Sequence, residues 1–280
     1  MKEKLKIFVA CHKPGNAFVN LNYIPIHVGR DVSTYTAEMQ SMIGDNTGDN
    51  ISKKNPTYCE LTAQYWMWKN VLNVQYIGLS HYRRYFQHKL TDVNVDDIFL
   101  NYDVILCRPY VSPYSVLTRL FRASCEEDVY IFMDILKDKL KDLYPIALAY
   151  LNGNKVIPFN MFVMKKEPFD EFCKWEFAIL DEFETTIKFS SYARRKRVIG
   201  LFAEVLLPIY CFCNKYSIKY DTVVPMIGDK AKKSIKHIFH NLLNNVRYLV
   251  APRERFDDPA VYVGLKNDGI RISENLLQNK

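Results

Sequence analysis

A buried strand of this chain is predicted to end in a cluster of cations and aromatic rings. The apolar segment Tyr76–Ser80 predicts the strand, and the hexapeptide His81–Phe86 that follows holds a histidine, two arginines and three aromatic residues. A guanidinium is ionised at any physiological pH, and its burial without an anionic partner is costly. We therefore expect an anion, most simply a phosphate, beside Arg83 and Arg84.

The predicted strand also gives these side chains directions. Residues i and i+2 of a strand share one face, so His81 and Arg83 are expected to point together into a site while Tyr82 and Arg84 point away from it. The alternative for either arginine is an ion pair with a buried acid such as Asp103. The two interpretations differ in whether the chain itself supplies the anion.

The rest of the chain alternates strand and helix patterns, as an α/β fold requires. Strands are predicted at Leu5–Cys11, Tyr23–Val28, Gln75–Ser80, Asp103–Cys107, Val156–Lys165 and Lys219–Pro225. Helices are predicted from near Pro56, with a core stripe of Leu61, Tyr65, Trp68 and Leu72, and at Glu126–Leu143, Pro168–Glu184 and Ser191–Cys213. This order favours a mostly parallel sheet with helices on both faces. Ligands of such sheets bind at the carboxyl ends of the strands.

Composition restricts the class of protein. The chain has 280 residues, 49 % of them apolar, which suits one large α/β domain with a small appendage. Its seven cysteines are scattered in apolar segments and are expected to be reduced. Neither a signal peptide nor a membrane-spanning apolar run is recognised, so we expect a cytoplasmic location. The motifs of serine hydrolases, P-loop proteins and dinucleotide-binding proteins are not found, which argues against these classes.

Positive charge is concentrated in two places. The net charge is +7, and basic residues gather at Arg194–Arg197 and from Lys230 through Arg255. The second run predicts a basic amphipathic helix with Ile235, Ile238, Phe239, Leu242, Leu243 and Val246 on one face. We therefore expect a domain at residues 1–228 and a basic helical tail at 229–280. The tail helix is expected either to pack on the core or to bind an anionic membrane.

Several segments of the sequence resemble those of a known family. They are His12–Pro14, Gly48–Asn55, Tyr58–Asn70, Gly78–Phe86, Asn160–Lys166 and Arg197–Glu204. In these segments the chain is similar to a bacterial family catalogued as a domain of unknown function and found in capsule, exopolysaccharide and O-antigen clusters. The resemblance extends from the start of the chain to about Pro225.

This resemblance implies a glycosyltransferase with a GT-A-like fold and a nucleotide-diphosphate-sugar donor. Members of the family are associated with galactofuranose transfer, so UDP-galactofuranose is the first donor expected, and galactopyranose or glucose donors are the alternatives. The acceptor is expected to be a growing surface polysaccharide, lipid-linked at the inner face of the membrane. The non-enzymatic alternative is a nucleic-acid-binding protein, because basic residues alternate with aromatic ones in His81–Phe86.

Metal use is where the sequence departs from the GT-A pattern. GT-A enzymes generally end a central strand with Asp-x-Asp, whose carboxylates hold a divalent metal on the donor, whereas this chain has His81-x-Arg83 at the comparable place. Our hypothesis is that arginine, together with a protonated histidine, neutralises the pyrophosphate directly. No metal ligand is predicted, and Mn²⁺ or Mg²⁺ stays an open alternative.

The resemblance and the residue types together give the candidate site. Donor diphosphate or nucleotide contacts are expected from His12, Asp49, Asn50, Asn55, Glu60, Arg83, Arg84 and Arg197, with His27 and Arg30 also near strand ends. Catalytic roles are expected for His81 and Glu204, the latter as the base that deprotonates the acceptor hydroxyl in an inverting reaction. Asn160, predicted inside an apolar strand, is expected to contact the sugar or acceptor.

Each of these expectations has a structural alternative. The loop residues Asp49, Asn50 and Asn55 suit turns equally well. Thr57-x-x-Glu60 has the capping-box pattern of a helix start. Asn160 suits a core amide bonded to backbone, and Glu204 suits an ion pair within the core. The run at Arg194–Arg197 is predicted to open a helix, where the dipole disfavours cations, so an external anion or plain solvation would have to offset it.

Overall fold

The computed structural model describes residues 3–192, 195–230, 235–250, 258–273 and 276–277. The chain forms two compact units, each assembled from separate segments of the sequence. The first contains Met1–Pro109, Ile157–Lys174 and Lys215–Lys232, and the second contains Tyr110–Val156, Trp175–Asn214 and Lys233–Lys280. The tail thus belongs to the second unit, and the division at Gly228 into two domains stays a prediction.

The strands and helices follow in chain order. The strands are β1 Glu3–Cys11, β2 Tyr23–His27, β3 Ile43–Gly44, β4 Val74–His81, β5 Tyr85–Phe86, β6 Val104–Cys107, β7 Tyr110–Val111, β8 Lys155–Val156, β9 Phe162–Lys165, β10 Ile218–Asp221 and β11 Val223–Val224. The α-helices are α1 Asn55–Tyr58, α2 Leu61–Asn70, α3 Val95–Phe99, α4 Val116–Ala123, α5 Glu126–Leu140, α6 Tyr144–Asn152, α7 Lys166–Thr186, α8 Val198–Cys213, α9 Ile235–Val250 and α10 Pro259–Asn267. Short 3₁₀ turns occupy Arg30–Val32, Ser52–Lys54 and Lys141–Leu143.

The first unit is built on a seven-stranded sheet in the order β10-β6-β9-β4-β1-β2-β3. β9 runs antiparallel to its neighbours β4 and β6, and the other pairs are parallel. Since β1, β2 and β4 are mutually parallel, their carboxyl ends lie at one edge of the sheet. The central strand β1 is buried from Ile7 to Cys11, which fits a strand covered on both faces. The predicted mostly parallel α/β sheet is confirmed.

Three local predictions are wrong. The strand predicted at Lys219–Pro225 is divided into β10, in the seven-stranded sheet, and β11, which pairs with β5 in a separate two-stranded sheet. The strand predicted at Val156–Lys165 is divided into β8 and β9, because Phe159 adopts a left-handed backbone with φ of 64° that no strand accommodates. The helix predicted from Pro56 is likewise divided at Cys59, with φ of 55°. Its predicted core stripe fails at Leu72, which lies beyond the end of α2 and is 69 % exposed.

The second unit is mainly helical. Phe132 of α5, Phe183 of α7 and Phe202 of α8 pack with ring centroids 4.7 to 5.6 Å apart. Apart from Glu204, helix α8 is apolar on every side and almost wholly buried, as such a pattern requires. It begins at Val198 rather than at the predicted Ser191, because Arg195–Arg197 form a turn before it. Arg194 lies outside the described residues. Within the described part of the chain, no helix combines the length and apolarity needed to cross a bilayer.

Candidate functional site

The cationic segment after β4 forms a tight turn. The amide of Arg84 donates to the carbonyl of His81 at 2.9 Å, and the amide of His81 donates to the carbonyl of Arg84 at 3.2 Å. Tyr82 and Arg83 are therefore the two central residues of a β-hairpin turn. The expectation that His81 and Arg83 share one face of a strand is wrong, because the strand ends at His81 and the chain reverses there.

The turn leaves two guanidinium groups exposed beside aromatic rings. The Arg83 guanidinium lies 4.8 Å from the centre of the Tyr82 ring, and that of Arg84 lies 4.1 Å from the Phe159 ring. Among the residues that the structure describes, neither arginine forms an ion pair with a carboxylate. Asp103, the alternative partner, instead accepts hydrogen bonds of 2.8 Å from the amide and hydroxyl of Ser217. Both arginines thus keep N–H donors available to an external anion.

The ends of β1 and β4 meet at Tyr82. The amide of Tyr82 donates to the carbonyl of Ala10 at 3.2 Å, and the His12 ring lies edge-on to the Tyr82 ring with centroids 5.5 Å apart. At Gly15 a Cβ would lie 3.0 Å from the Tyr82 ring, so the loop after β1 also approaches it closely. The Tyr82 hydroxyl is buried without a hydrogen-bond partner among the described residues, which typically costs about 1–3 kcal/mol. His12 and Arg83 are therefore brought to one place by their contacts with Tyr82.

Directly before β9, Phe159 contacts two predicted site residues, His81 and Arg84, and Asn160 contacts a third, Glu60. The Phe159 ring contacts the Arg84 guanidinium and lies 6.3 Å from the His81 ring. Asn160, only 2 % exposed, donates from Nδ2 to Glu60 Oε1 at 2.8 Å. Phe159 holds its left-handed backbone at a cost of roughly 1–2 kcal/mol, and such strain is concentrated at functional sites.

The Glu60–Asn160 contact also decides between two interpretations. Glu60 comes directly before α2 and makes no capping hydrogen bond, so the capping box predicted from Thr57 is wrong. The reason is that α1 begins at Asn55, so Thr57 lies inside this helix and is not the N-cap residue that a capping box requires. Asn160 precedes β9 rather than lying inside a strand, and its amide donates to a carboxylate rather than to backbone. We call the residues His12, Glu60, His81–Arg84, Phe159 and Asn160 the β4-end cluster.

The polar loop between Gly44 and Asn55 is held by its own side chains. Asn50 donates to the carbonyl of Gly48 at 3.0 Å and accepts from the amide of Ser52 at 3.2 Å. The side-chain Nδ2 group of Asn55 donates to the carbonyl of Cys59 at 2.7 Å. Asp49 is exposed and accepts from the Tyr65 hydroxyl at 3.2 Å. These contacts are those of turn-forming residues, and the proposed nucleotide contacts stay a prediction.

Sequence reasoning missed the residue that organises this loop, Asp45. It is fully buried directly after β3 and accepts hydrogen bonds from the amides of Gly29 and Arg30, at 2.6 and 3.1 Å, and from the Ser52 hydroxyl at 2.6 Å. Gly29 has φ of 64°, and a Cβ there would lie 2.5 Å from Asn55 Cγ, so the turn requires glycine. The available signal was an aspartate placed directly after the apolar Ile43-Gly44 pair.

Burial determines the protonation state of two other groups, which lie at the ends of β1 and β2. The buried His27 ring has its pKa lowered, first by loss of hydration and then by the charge of Arg30, so it is neutral at physiological pH. Its Nε2 lies 2.9 Å from Ser33 Oγ. Burial raises the pKa of the Cys11 thiol to about 12, which makes it unreactive as a nucleophile.

The remaining two candidates, Arg197 and Glu204, belong to the second unit. Arg197 is exposed immediately before α8, and Glu204 is half-buried on that helix. Burial raises the pKa of Tyr110, and the negative charge of Glu204 contributes to the same shift. The roles expected of Arg197 and Glu204 stay predictions.

The residues at the end of β4 do not fit a divalent metal. Guanidinium groups have no lone pair to donate to a metal, and two of them stand in the His81–Arg84 turn. Within the described residues, no three histidine, cysteine, aspartate or glutamate side chains are grouped to hold a metal ion. The chemistry that this turn can perform is the neutralisation of an anion.

Comparison with known proteins relates this geometry to a family. The model of a domain of unknown function (DUF4422) matches residues 6–215. No curated protein matches the chain. Among solved structures, the chain is similar to the apo structure of WbbM, a bifunctional glycosyltransferase, with 28 % identity and a TM-score of 0.61. The similarity covers 83 % of this chain and 48 % of the other, so the chain spans about half the length of WbbM.

The structural similarity agrees with the architecture of the first unit. A mostly parallel sheet with one antiparallel strand beside β4 is the arrangement expected of the GT-A-like fold, and that prediction is confirmed. The family match extends over well more than half of the sequence, including the whole β4-end cluster. The chain belongs to the DUF4422 family.

Proposed function

We propose that this protein is a glycosyltransferase that binds the diphosphate of its sugar donor at the turn His81–Arg84. The observation that carries the proposal is the pair of exposed guanidinium groups, without carboxylate partners among the described residues, at the carboxyl end of a central strand. Ligands of open α/β sheets bind at this edge. The similarity to WbbM, which is a bifunctional glycosyltransferase, supports the same class of activity.

In the proposed reaction, negative charge develops on the donor diphosphate as its bond to the anomeric carbon breaks. Arg83 and Arg84 donate charge-assisted hydrogen bonds to the phosphate oxygens and stabilise that charge. The Tyr82 and Phe159 rings lie against the two guanidinium groups, and these cation–π contacts favour a defined position for each of them. His81, in the same turn, is proposed as a further contact to the leaving group. None of these steps needs a metal ligand from the turn.

Glu204 is proposed to activate the acceptor hydroxyl. Its carboxylate takes the proton of the acceptor hydroxyl while that oxygen bonds to the anomeric carbon and the diphosphate leaves with the bonding electrons, which inverts the configuration. Half-burial on α8 supports a defined position for this carboxylate. In Glu204→Gln we expect normal UDP affinity and a loss of transfer of at least about 100-fold, the usual range for a general base. Normal turnover by this variant eliminates the role.

For substrates, we propose a UDP-sugar donor, with UDP-galactofuranose first and other UDP-hexoses as alternatives. The acceptor is proposed to be a growing surface polysaccharide on a lipid carrier, and the enzyme to act in the cytoplasm at the membrane surface. Asn160 is the residue proposed to orient the sugar, because it lies in the β4-end cluster and its side chain is held in place by Glu60.

The primary test compares ligand binding by the two arginines with that of a matched cation. UDP is expected to raise the melting temperature of the wild type, since a ligand that binds only the folded state stabilises it. Arg83→Ala/Arg84→Ala is expected to weaken UDP binding by at least about 100-fold, because each charged hydrogen bond contributes about 1.5–3 kcal/mol and the variant removes two of them. Lys89→Ala is the control, because Lys89 is also an exposed cation over an aromatic ring, Phe18 at 5.2 Å.

Two outcomes of that test contradict the proposal. Equal UDP affinity in the double variant and in Lys89→Ala excludes the turn as the diphosphate site. Stabilisation by oligonucleotides but not by UDP indicates the nucleic-acid-binding alternative. A panel of UDP-sugars, each assayed for donor hydrolysis with and without a chelator, then identifies the sugar and the metal requirement.

A further inference from the structure

The polar side of helix α9 contacts the rest of the second unit. Asn244 is buried and donates to the carbonyl of Val111 at 2.9 Å, and the Tyr248 hydroxyl donates to the carbonyl of Asn152 at 2.5 Å. Asn154 donates to Asn245 Oδ1 at 2.9 Å. These three hydrogen bonds fix which side of the helix faces the protein.

The opposite side of α9 is apolar and exposed. Phe239, Leu242 and Leu249 are 67, 60 and 77 % exposed, and Val246 and Val250 are exposed as well. With 3.6 residues per turn these positions form one continuous stripe. A helix of a globular protein ordinarily turns such a stripe toward the core. Packing of this face on the core, one of the two alternatives for the helix, is wrong for Phe239, Leu242 and Val246, because amide and hydroxyl groups take the inward side. The side chains of Ile235 and Ile238 lie outside the described residues.

The basic residues on and near α9 favour an anionic partner for this face. His240 and Arg247 are exposed on α9, and Lys230 is exposed shortly before it. From Lys230 to Arg253 the sequence contains six lysine and arginine residues and no aspartate or glutamate. Two copies of the chain that met through this face would bring like charges together, whereas an anionic lipid surface supplies opposite charge along the apolar stripe.

We propose that the outward face of α9 inserts into the headgroup region of an anionic phospholipid membrane, with its apolar residues among the acyl chains and its basic residues at the phosphates. An exposed apolar stripe bordered by cations is the arrangement of interfacial helices. The inward hydrogen bonds hold the helix on the protein in the orientation that insertion requires. This inference deepens the proposed function, in which the acceptor is lipid-linked, and rests on it only for its biological purpose.

The test is co-sedimentation of the full chain with vesicles, measured without any sugar donor. Vesicles of phosphatidylcholine with roughly 30 % phosphatidylglycerol are expected to bind the wild type at least about tenfold more tightly than pure phosphatidylcholine, because each basic residue near the surface adds to the attraction. Leu242→Asp/Leu249→Asp is expected to reduce binding to the anionic vesicles by at least about tenfold. Arg247→Glu is expected to reduce it less.

A matched control separates insertion from a general effect of added charge. Leu72→Asp/Leu100→Asp places the same charges at two leucines that are 69 and 79 % exposed in the first unit, and it is expected to bind vesicles nearly as the wild type does. Melting temperatures of both double variants should stay close to that of the wild type, since all four leucines are exposed. A folded Leu242→Asp/Leu249→Asp variant that binds vesicles normally overturns the proposal.

Two further outcomes also count against it. Equal binding to anionic and neutral vesicles shows that lipid charge does not contribute, which contradicts the proposal. A wild type that is dimeric by light scattering, becomes monomeric in Leu242→Asp/Leu249→Asp and binds no vesicles assigns the face to a second copy instead. Vesicle binding is independent of UDP binding, so failure of the transferase proposal leaves this result intact and the reverse holds equally.

Discussion

The turns after β3 and β4 both carry charged residues, but they differ in whether those residues are hydrogen-bonded within the protein. Asp45, after β3, is fully buried and accepts three hydrogen bonds from Gly29, Arg30 and Ser52. Arg83 and Arg84, after β4, are exposed and contact aromatic rings rather than carboxylates of the described residues. The acid satisfies its hydrogen bonds within the protein, whereas the guanidinium groups keep N–H donors available to an external anion.

This difference separates a structural charge from charges that are proposed to bind the donor. A buried carboxylate that loses its partners destabilises the fold, while an exposed cation with no partner contributes little to it. Both turns lie at carboxyl ends of strands of the seven-stranded sheet, the edge at which ligands of such sheets bind. The number of internal hydrogen bonds at each turn is what distinguishes them.

The largest effect is expected for stability at the β3 turn. Asp45→Ala removes the acceptor of three buried donors and should lower the free energy of unfolding by about 3 kcal/mol. Arg83→Ala/Arg84→Ala should change it by less than about 0.5 kcal/mol, as exposed substitutions usually do. Urea unfolding of both variants measures this, with Asp49→Ala as the exposed acidic control. Similar losses in the first two variants would remove the contrast between the turns.

A smaller effect is expected at the Glu60–Asn160 contact. Asn160→Ala leaves a partly buried carboxylate without its donor and should cost about 1–2 kcal/mol. Glu60→Gln combined with Asn160→Asp restores an amide–carboxylate pair in the reverse sense, so the double variant should be more stable than the sum of the single changes predicts. The coupling energy from the four unfolding curves checks this. Strict additivity shows that the contact has no energetic role.

His27 should make stability depend on pH. Its folded pKa is lowered by burial, so the unfolded chain, with an ordinary value near 6.5, binds the proton more readily. Stability from this group is complete above pH 6.5 and is lost as pH falls toward the lowered folded pKa. Urea midpoints at pH 7.5 and 5.5 should differ more in the wild type than in His27→Gln. An equal difference in both proteins assigns the acid effect to other groups.

The smallest effect is expected for the ring beneath Arg84. Phe159→Leu keeps an apolar side chain but removes the cation–π contact, worth about 0.5–1 kcal/mol at an exposed site. UDP affinity should fall about two- to fivefold, measured by calorimetry. Phe18→Leu, which removes the ring near Lys89, is the matched control and should leave affinity unchanged. A larger loss in the control places the nucleotide on the other side of the turn.

Much of the fold was predictable because its signals are local. The apolar runs of β1, β4 and β6 and the long helices α5 and α7 lie close to their predicted positions. Two of the errors occur at Cys59 and Phe159, where non-glycine residues take left-handed conformations that apolar patterns do not reveal. Asp45 was missed for a related reason, since its three partners come from other parts of the chain.

The sequence by itself determined the order of elements, the parallel α/β class and the presence of cations directly after a central strand, because hydrophobic periodicity and residue type act over a few neighbouring residues. Only the tertiary structure decided which charges are satisfied internally. It pairs Asp103 with Ser217 and Glu60 with Asn160, leaves Arg83 and Arg84 beside rings, and turns the apolar stripe of α9 outward. These outcomes depend on contacts between residues far apart in the chain, and no local pattern encodes them.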